Sequence, residues 1–199
     1  MTTPQLERLS AHRQRLRLHR VDAELNTLLE QAAKKEVSYA DFLDEVLALE
    51  LRAKQEKHRA MRVTMAHFPF QKSLETFEWK FQPSIEPKLI KELATGRFIA
   101  DTENVLLLGP PGVGKTHLAV ALGMSACALG LRTMFTTATG LITTLGKALY
   151  ENRLEERLKV LTQPKLLIID EIGYIPIDRQ GANPFFQLSR GATSAARSC

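Results

Sequence analysis

The chain has 199 residues, of which 44% are hydrophobic and 25% are charged. This composition is typical of a folded globular protein of one or two domains and excludes a disordered chain. Its two cysteines, Cys127 and Cys199, exclude a disulfide framework and a four-thiolate zinc site. The most apolar stretch, residues 118–131, is shorter than a membrane span, and the first residues lack the apolar segment of a secretory signal. We therefore expect a cytoplasmic protein with no membrane partner.

The charge is distributed unevenly along the first 72 residues, although the net charge is only +5. Residues 1–20 have five arginines and one acid, residues 21–50 have eight acids and two lysines, and residues 51–72 have six basic residues and one acid. Basic blocks of this kind are typical of nucleic-acid contacts or of solvated helix faces, and charge alone favours the second. The candidates for DNA contact are Arg52, Lys54, Arg59 and Arg62.

The N-terminal part of the chain is predicted to be all helical. Residues 5–66 contain neither proline nor glycine, and apolar residues recur at helical spacing in residues 25–32. Ser38–Asp41 resembles a capping box that opens a further helix. Along that helix a leucine at every fourth position forms a stripe, which we expect to be buried against other helices or a second subunit. This leucine stripe consists of Leu43, Leu47 and Leu51, and Phe42, Val46 and Leu49 lie beside it and widen the apolar face that we expect to be buried.

An aromatic linker follows in residues 68–84. Pro69 ends the helical region because it forces the preceding residue out of helical geometry. Phe77, Trp79 and Phe81 alternate with charged residues, which predicts an extended segment with one buried face. We expect the linker to lie on the next domain, by packing; a share in an adenine pocket is the alternative.

The remaining pattern alternates strands with helices, which indicates an α/β fold with a parallel sheet and flanking helices. Aliphatic runs at Val105–Leu108 and Leu166–Ile169 predict strands buried on both faces, and Thr133–Thr137 suits another strand. Helices are predicted over residues 87–100, from the end of the glycine-rich turn to about residue 129, and around two sets of spaced leucines. The residues expected on buried helix faces are Leu89, Ile90, Leu93, Phe98, Leu141, Leu145, Leu149, Leu154, Leu158 and Leu161.

A phosphate-binding loop lies between the first of these strands and a helix. Residues 109–116 match G-x-x-x-x-G-K-[ST] in full, in the strand–loop–helix context that the motif requires. Its glycines allow successive amides to face phosphates, its lysine reaches the β- and γ-phosphates, and its threonine ligates Mg²⁺. ATP and Mg²⁺ are the expected cofactors. The nucleotide-binding residues are Gly109, Pro110, Pro111, Gly112, Val113, Gly114, Lys115 and Thr116.

Two acids complete the candidate site. Asp170 and Glu171 directly follow the strand Leu166–Ile169, and the carboxyl edge of a parallel sheet is where ligands bind. We expect Asp170 to hold Mg²⁺, directly or through water, and Glu171 to take a proton from an attacking water.

The sequence resembles the IstB-like ATP-binding proteins, helper ATPases of a class of bacterial insertion sequences that are related to the DnaC helicase loader within the AAA+ group. The resemblance covers about residues 5–188. It is carried by Phe68–Pro69, Lys72–Phe77, Phe81–Ser84, Glu103–Gly112, Gly114–Ala119 and Leu167–Tyr174.

The resemblance implies an AAA+ ATPase that oligomerises on DNA and works with a partner transposase. The two basic blocks, with no obvious base-reading motif, predict DNA binding that is largely independent of sequence. It implies a helical region for assembly and DNA or partner contact (residues 1–67), the linker (68–84), an ATP-binding domain (85–188) and a polar tail outside the family pattern (189–199). Lys115, Thr116, Asp170 and Glu171 match the family's site residues. His117 also matches, with no chemical role evident beyond helix packing.

Relatives continue past Leu188, with a further buried strand, an arginine that acts across the subunit interface and a second sensor residue. Here Pro184 falls in a stretch that the family makes helical. The resemblance thus implies a domain incomplete at its C-terminus. The absent strand would lie between Val105–Leu108 and Leu166–Ile169, so these would pair directly or expose unpaired amides. Weak nucleotide binding and little ATPase activity are expected.

The leading hypothesis is an ATP-binding helper of DNA transposition. A DnaC-like helicase loader is the alternative within the same class. A P-loop phosphotransferase shares residues 109–116, but an acid next to Asp170 favours water activation instead. A catalytically inactive remnant that still binds DNA or partners is the third alternative.

Overall fold

The computed structural model describes residues 3–172 of the chain. The described residues divide into two compact units, one up to residue 58 and one from residue 59 onward, with the division falling inside the third helix. In the described part of the chain, no helix combines the length and the apolar character needed to cross a membrane. The expectations for Gly173, Tyr174, Pro184 and the tail 189–199 lie outside the described residues.

The first unit is helical, as predicted, but its helices are interrupted twice. Helices α1 (Thr3–Arg15), α2 (His19–Lys35) and α3 (Tyr39–Met65) are separated by short turns. The prediction of helix throughout residues 5–66 is wrong at these turns, where Arg17 and Glu36 have left-handed backbones with φ of 55° and 48°. No proline or glycine marks either turn. The capping box at Ser38–Asp41 nevertheless signalled the break at Glu36, whereas the sequence carried no signal for the break at Arg17.

The capping box at the start of α3 is confirmed. The Asp41 amide donates to Ser38 Oγ at 3.1 Å, and the Ser38 hydroxyl donates to Asp41 Oδ2 at 2.6 Å. Further along α3, the buried carboxylate of Glu50 accepts from the amides of Arg20 at 2.9 Å and Val21 at 3.1 Å. These amides belong to the first turn of α2, so a side chain from α3 caps a neighbouring helix.

The leucine stripe on α3 is not buried by the described helices. Leu43, Leu47 and Leu51 are 56%, 52% and 58% exposed, so their predicted burial against other helices of the chain is wrong. The residues predicted beside this stripe are confirmed in the core: Val46 packs with Val21 and Leu28 of α2, and Phe42 and Leu49 pack against this cluster. The alternative of a second subunit stays a prediction.

The second unit is α/β, as predicted, with two parallel strands. Strand β1 (Thr133–Thr137) pairs with β2 (Leu166–Asp170) in a register that places Thr137 opposite Asp170. Thr137 and Asp170 are the carboxyl-terminal residues of their strands, so Asp170 lies at the edge where ligands bind in such sheets. The helices of this unit are α4 (Pro87–Ala94), α5 (Arg97–Ala100), α6 (Lys115–Ala128), α7 (Ala138–Tyr150) and α8 (Leu154–Thr162).

The predicted strand Val105–Leu108 is not formed among the described residues. The sheet that they build has two strands only, and Leu106 and Leu108 are 73% and 86% exposed. Of the two expected outcomes, direct pairing with β2 is therefore wrong, and the segment stands unpaired. Leu107 packs against the core beside α6, which covers one face of the segment. An aliphatic run becomes a doubly buried strand only when neighbours cover both faces, and β2 is likewise only half-buried.

Smaller corrections concern helix faces. The predicted helix over residues 87–100 is broken at Gly96, whose φ of 77° ends α4 before α5 begins. Leu89 and Leu149 were expected to be buried and are exposed. The other residues predicted for these faces are at least partly buried, with Ile90, Phe98, Leu141, Leu145 and Leu161 fully so.

The aromatic linker packs on the second unit, as expected. Phe77 is buried in a cluster with Ile90, Leu118 and Leu122. Trp79 stacks edge to face on Phe77 with ring centroids 4.8 Å apart. The predicted extended conformation is wrong at residues 79–81, which form one turn of 3₁₀ helix. This turn lets Trp79 join the same cluster as Phe77 without strand alternation.

Candidate nucleotide-binding site

The phosphate loop owes its shape to glycines with positive φ. Gly112 and Gly114 have φ of 80° and 88°, a region that other residues rarely adopt. A side chain at Gly112 would meet open space, so only its backbone conformation requires glycine. A Cβ on Gly114 would lie 2.8 Å from the Phe77 ring, so here both conformation and space require glycine.

The loop leads directly into the N-terminus of α6. Gly114 is the N-cap residue, α6 begins at Lys115, and no described side chain caps this helix end. Leu118 is the first residue whose amide bonds back into the turn, to the Gly114 carbonyl at 3.0 Å. The amides of Lys115, Thr116 and His117 therefore lack helical acceptors. Together with the positive end of the helix dipole and the absence of acids from the first turn, they suit an anion such as phosphate.

Lys115 is folded back onto its own loop. Its ammonium group donates to the carbonyl of Gly109 at 2.9 Å and to that of Pro110 at 2.6 Å. The charge thus lies inside the curve of the loop, held by neutral acceptors. Phosphate oxygens are stronger partners for an ammonium group than carbonyls are, so a bound phosphate can replace either contact.

The structure brings Thr116 and Asp170 together although 54 residues separate them. The Thr116 hydroxyl donates to Asp170 Oδ2 at 2.7 Å, joining the first turn of α6 to the end of β2. Two oxygen ligands from different elements suit Mg²⁺, which takes few protein ligands and completes its shell with water and phosphate oxygens. No group of three or more His, Cys, Asp or Glu side chains that could hold a metal occurs in residues 3–172. The Thr116 hydroxyl and the Asp170 carboxylate are a donor set that fits Mg²⁺ at this position.

Glu171 follows Asp170 at the end of β2 and is exposed. Its φ of 61° is in the left-handed region, which is uncommon for glutamate. The described contacts include no hydrogen bond from Glu171 to the loop or to Asp170. Glu171 is therefore next to the site in sequence, and none of the described hydrogen bonds joins its side chain to the site.

Sequence patterns did not reveal how the linker contacts this site. His117 Nε2 lies 3.0 Å from the Ser73 carbonyl oxygen and 3.4 Å from Thr76 Oγ1. The His117 ring also stacks edge to face on Phe77, with centroids 5.1 Å apart. A backbone carbonyl leaves no signature in a sequence pattern. The sequence showed only that Lys72–Phe77 and Gly114–Ala119 both match the family.

The four candidates for DNA contact on α3 differ in their surroundings. Arg52 and Arg59 are exposed. Lys54 lies 3.8 Å from the carboxylate of Glu50, and Arg62 donates from Nε to the Cys127 carbonyl at 2.9 Å. Cys127 belongs to the last turn of α6, so Arg62 places a cation at a helix C-terminus.

Cys127 itself is a buried structural residue. Burial raises the pKa of its thiol, and the nearby Thr133 hydroxyl and the charges of Arg62 and Arg59 oppose this more weakly. A thiol with a raised pKa remains neutral and is a poor nucleophile. We therefore assign no chemistry to Cys127.

These features define an α/β P-loop protein that is built to bind a nucleotide. The family model described as "IstB-like ATP binding protein" matches residues 11–194. The chain belongs to this family, and the resemblance inferred from the sequence is confirmed.

Three curated relatives are ATP-binding proteins of insertion sequences. The chain is 47% identical over 174 residues to that of IS21 from Pseudomonas aeruginosa, covering 87% of this chain and 66% of the relative. It is 39% identical over 182 residues to that of IS5376 from Geobacillus stearothermophilus, covering 92% and 72%. It is 38% identical over 182 residues to that of IS232 from Bacillus thuringiensis subsp. berliner, covering 92% and 73%. The chain thus spans about two thirds of the length of the first relative.

Proposed function

We propose that the protein is an ATP-binding helper of DNA transposition, of AAA+ type, which assembles on DNA and stimulates a partner transposase. The observation that carries the nucleotide part is the 2.7 Å contact between Thr116 and Asp170 beside the phosphate loop. The insertion-sequence names of its relatives support the transposition part.

In this proposal the phosphate loop holds the nucleotide through its backbone. The amides at the N-terminus of α6 bind the phosphates, and Lys115 exchanges the Gly109 and Pro110 carbonyls for phosphate oxygens. Thr116 and Asp170 hold Mg²⁺, which when bound neutralises charge on the phosphates and orients them. The Thr116 hydroxyl donates its hydrogen to Asp170 and keeps its oxygen lone pairs free, so it can ligate Mg²⁺ while the contact with Asp170 stays in place.

The proposed role of Glu171 is to accept a proton from the attacking water. A carboxylate that accepts such a proton must reach the water by a hydrogen bond. The left-handed backbone of Glu171 turns the chain away from the axis of β2 directly after Asp170. This conformation ends the strand at Asp170, so the alternation that points successive strand side chains to opposite faces does not continue to Glu171.

DNA contact is proposed for the basic half of α3, which carries Arg52, Lys54, Arg59 and Arg62. This half belongs to an N-terminal helical region of residues 1–67. Arg52 and Arg59 are seven positions apart and so share a helix face, and both are exposed. The ATP-binding domain is proposed to occupy residues 85–188 after the linker 68–84. Phosphate contact by arginines is independent of base sequence and sensitive to salt.

The proposed nucleotide site is tested by titration calorimetry of Mg²⁺-ATP with Lys115→Ala. Each hydrogen bond to a charged group contributes about 1.5–3 kcal/mol, so affinity should fall about ten- to a hundredfold. Lys88→Ala is the matched control, because Lys88 is an exposed lysine of α4. Equal affinity in both variants would contradict the assignment of the site. Phosphate transfer to an acceptor without phosphate release would instead favour a phosphotransferase.

A further inference from the structure

The linker contacts both sides of the two residues that the proposed site depends on. Phe77 lies against Gly114, directly before Lys115 and Thr116. His117, directly after them, contacts the Ser73 carbonyl and the Phe77 ring. The four residues Gly114, Lys115, Thr116 and His117 are consecutive, so the linker braces the start of α6 at both of its ends.

The contact between His117 and Ser73 has a defined direction. A carbonyl oxygen can only accept, so Nε2 is the ring nitrogen of His117 that bears a hydrogen. It donates a hydrogen bond to the Ser73 carbonyl over 3.0 Å. The Thr76 hydroxyl donates to the same carbonyl at 2.9 Å and accepts from the Ser73 amide at 3.3 Å. Thr76 therefore closes a turn that holds the Ser73 carbonyl in position to accept a hydrogen bond from His117.

The Phe77 ring leaves no room for a side chain on Gly114. A Cβ on Gly114 would lie 2.8 Å from the Phe77 ring, closer than carbon atoms pack. The Phe77 ring is itself held in the cluster with Ile90, Leu118 and Leu122. Any movement of the Gly114 backbone toward this ring must therefore displace Phe77, or be prevented by it.

We propose that His117 is a positioning residue of the nucleotide site, which holds linker residues 73–77 against the start of α6 so that phosphate loop and linker respond to nucleotide together. This inference rests on the proposed nucleotide function. Packed contacts of this kind transmit small displacements because a core has few alternative arrangements. Nucleotide that rearranges Lys115 and Thr116 shifts Gly114 and His117, and these shift Phe77.

The chain contains its own reporter for this coupling. Trp79 is the only tryptophan, and its ring contacts Phe77 at a centroid distance of 4.8 Å. Tryptophan emission responds to its surroundings, so a shift of Phe77 changes the fluorescence of Trp79. Calorimetry measures nucleotide binding independently of this signal.

The experiment titrates Mg²⁺-ATP into four proteins and follows both heat and Trp79 emission. The parent protein should show an emission change that saturates together with the heat. His117→Phe keeps an aromatic ring for Phe77 and loses the donor. It should lower affinity about three- to tenfold, the value of one neutral hydrogen bond, and strongly reduce the emission amplitude. His117→Gln keeps an amide donor and should restore part of both. His58→Gln, at an exposed histidine of α3, should change neither.

Three results would overturn the proposal. They are an unchanged Trp79 emission in a parent protein that binds nucleotide, a His117→Phe variant with parental affinity and amplitude, and a His117→Gln variant that loses as much as His117→Phe. Absence of binding heat in the parent would instead overturn the nucleotide function on which the inference rests. Thr76→Val, which removes the hydroxyl that shapes the turn, should also reduce the amplitude. It serves in place of His117→Phe if that variant fails to fold.

Discussion

The nucleotide site and the basic half of α3 contrast in how the sequence pointed to them. At the site, Lys115, Thr116 and Asp170 were predicted from a spaced motif and a strand end, and the structure places Thr116 against Asp170 at 2.7 Å. On α3, four basic residues were predicted from composition, and two of them are engaged within the fold, Lys54 with Glu50 and Arg62 with Cys127. A motif specifies a geometry, whereas a charge block specifies only a surface property that local packing can use first.

The largest expected effect is at the site. Glu171→Gln should slow phosphate release about a hundred- to ten-thousandfold, the contribution typical of a positioned general base. Affinity for Mg²⁺-ATP should stay unchanged because Asp170 and Thr116 remain. The measurement is phosphate release with DNA present, in the chain extended with the C-terminal part of its Pseudomonas aeruginosa relative. Parental turnover in the variant would remove Glu171 from this role and weaken the contrast.

A smaller effect is expected from Arg62→Ala. The variant loses a charged donor at the C-terminus of α6, which should lower the free energy of unfolding by about 1–2 kcal/mol. Thermal or urea unfolding followed by circular dichroism measures this change. Arg59→Ala is the matched control, since Arg59 is exposed on the same helix and should change stability by less than about 0.5 kcal/mol. Equal stability of the two variants would show that the Arg62 contact contributes nothing to the fold.

The smallest effect concerns salt dependence of DNA binding. If Arg52 and Arg59 each neutralise one phosphate, replacing both with alanine should reduce the slope of log affinity against log salt by about 0.9 per lost contact on duplex DNA. Fluorescence anisotropy over a salt series with two unrelated duplexes gives this slope and also tests sequence independence. An unaltered slope would identify the basic half of α3 as a solvated helix face.

Much of the second unit could be predicted because local and global signals agreed there. Strand β1 was predicted at its observed bounds. Helix α6 was predicted to follow the glycine-rich turn and to end at about residue 129, and it ends at Ala128. The run Val105–Leu108 has the same uninterrupted aliphatic pattern as the run that forms β2. It differs in having no strand neighbour among the described residues, and this is a property of the sheet rather than of the run.

Other features depended on atoms that a sequence pattern does not represent. The contact of His117 with the Ser73 carbonyl involves a backbone acceptor, and the break at Arg17 involves a left-handed residue without glycine. The wide apolar stripe of α3 was expected to be buried as a whole. The side with Val46, Phe42 and Leu49 is in the core, whereas the leucine side is exposed. Helix periodicity finds an apolar face, but it does not say how much of a wide face a neighbouring helix covers.

The most direct test of the account is the Mg²⁺ dependence of ATP binding in Thr116→Val. The central claim is that Thr116 and Asp170 form the oxygen pair that holds the metal beside the phosphate loop. Calorimetry should show that Mg²⁺ strengthens ATP binding to the parent protein and to the control Thr143→Val, whose threonine is exposed on α7. The same measurement should show little or no strengthening in Thr116→Val. Full Mg²⁺ dependence in Thr116→Val would contradict the claim.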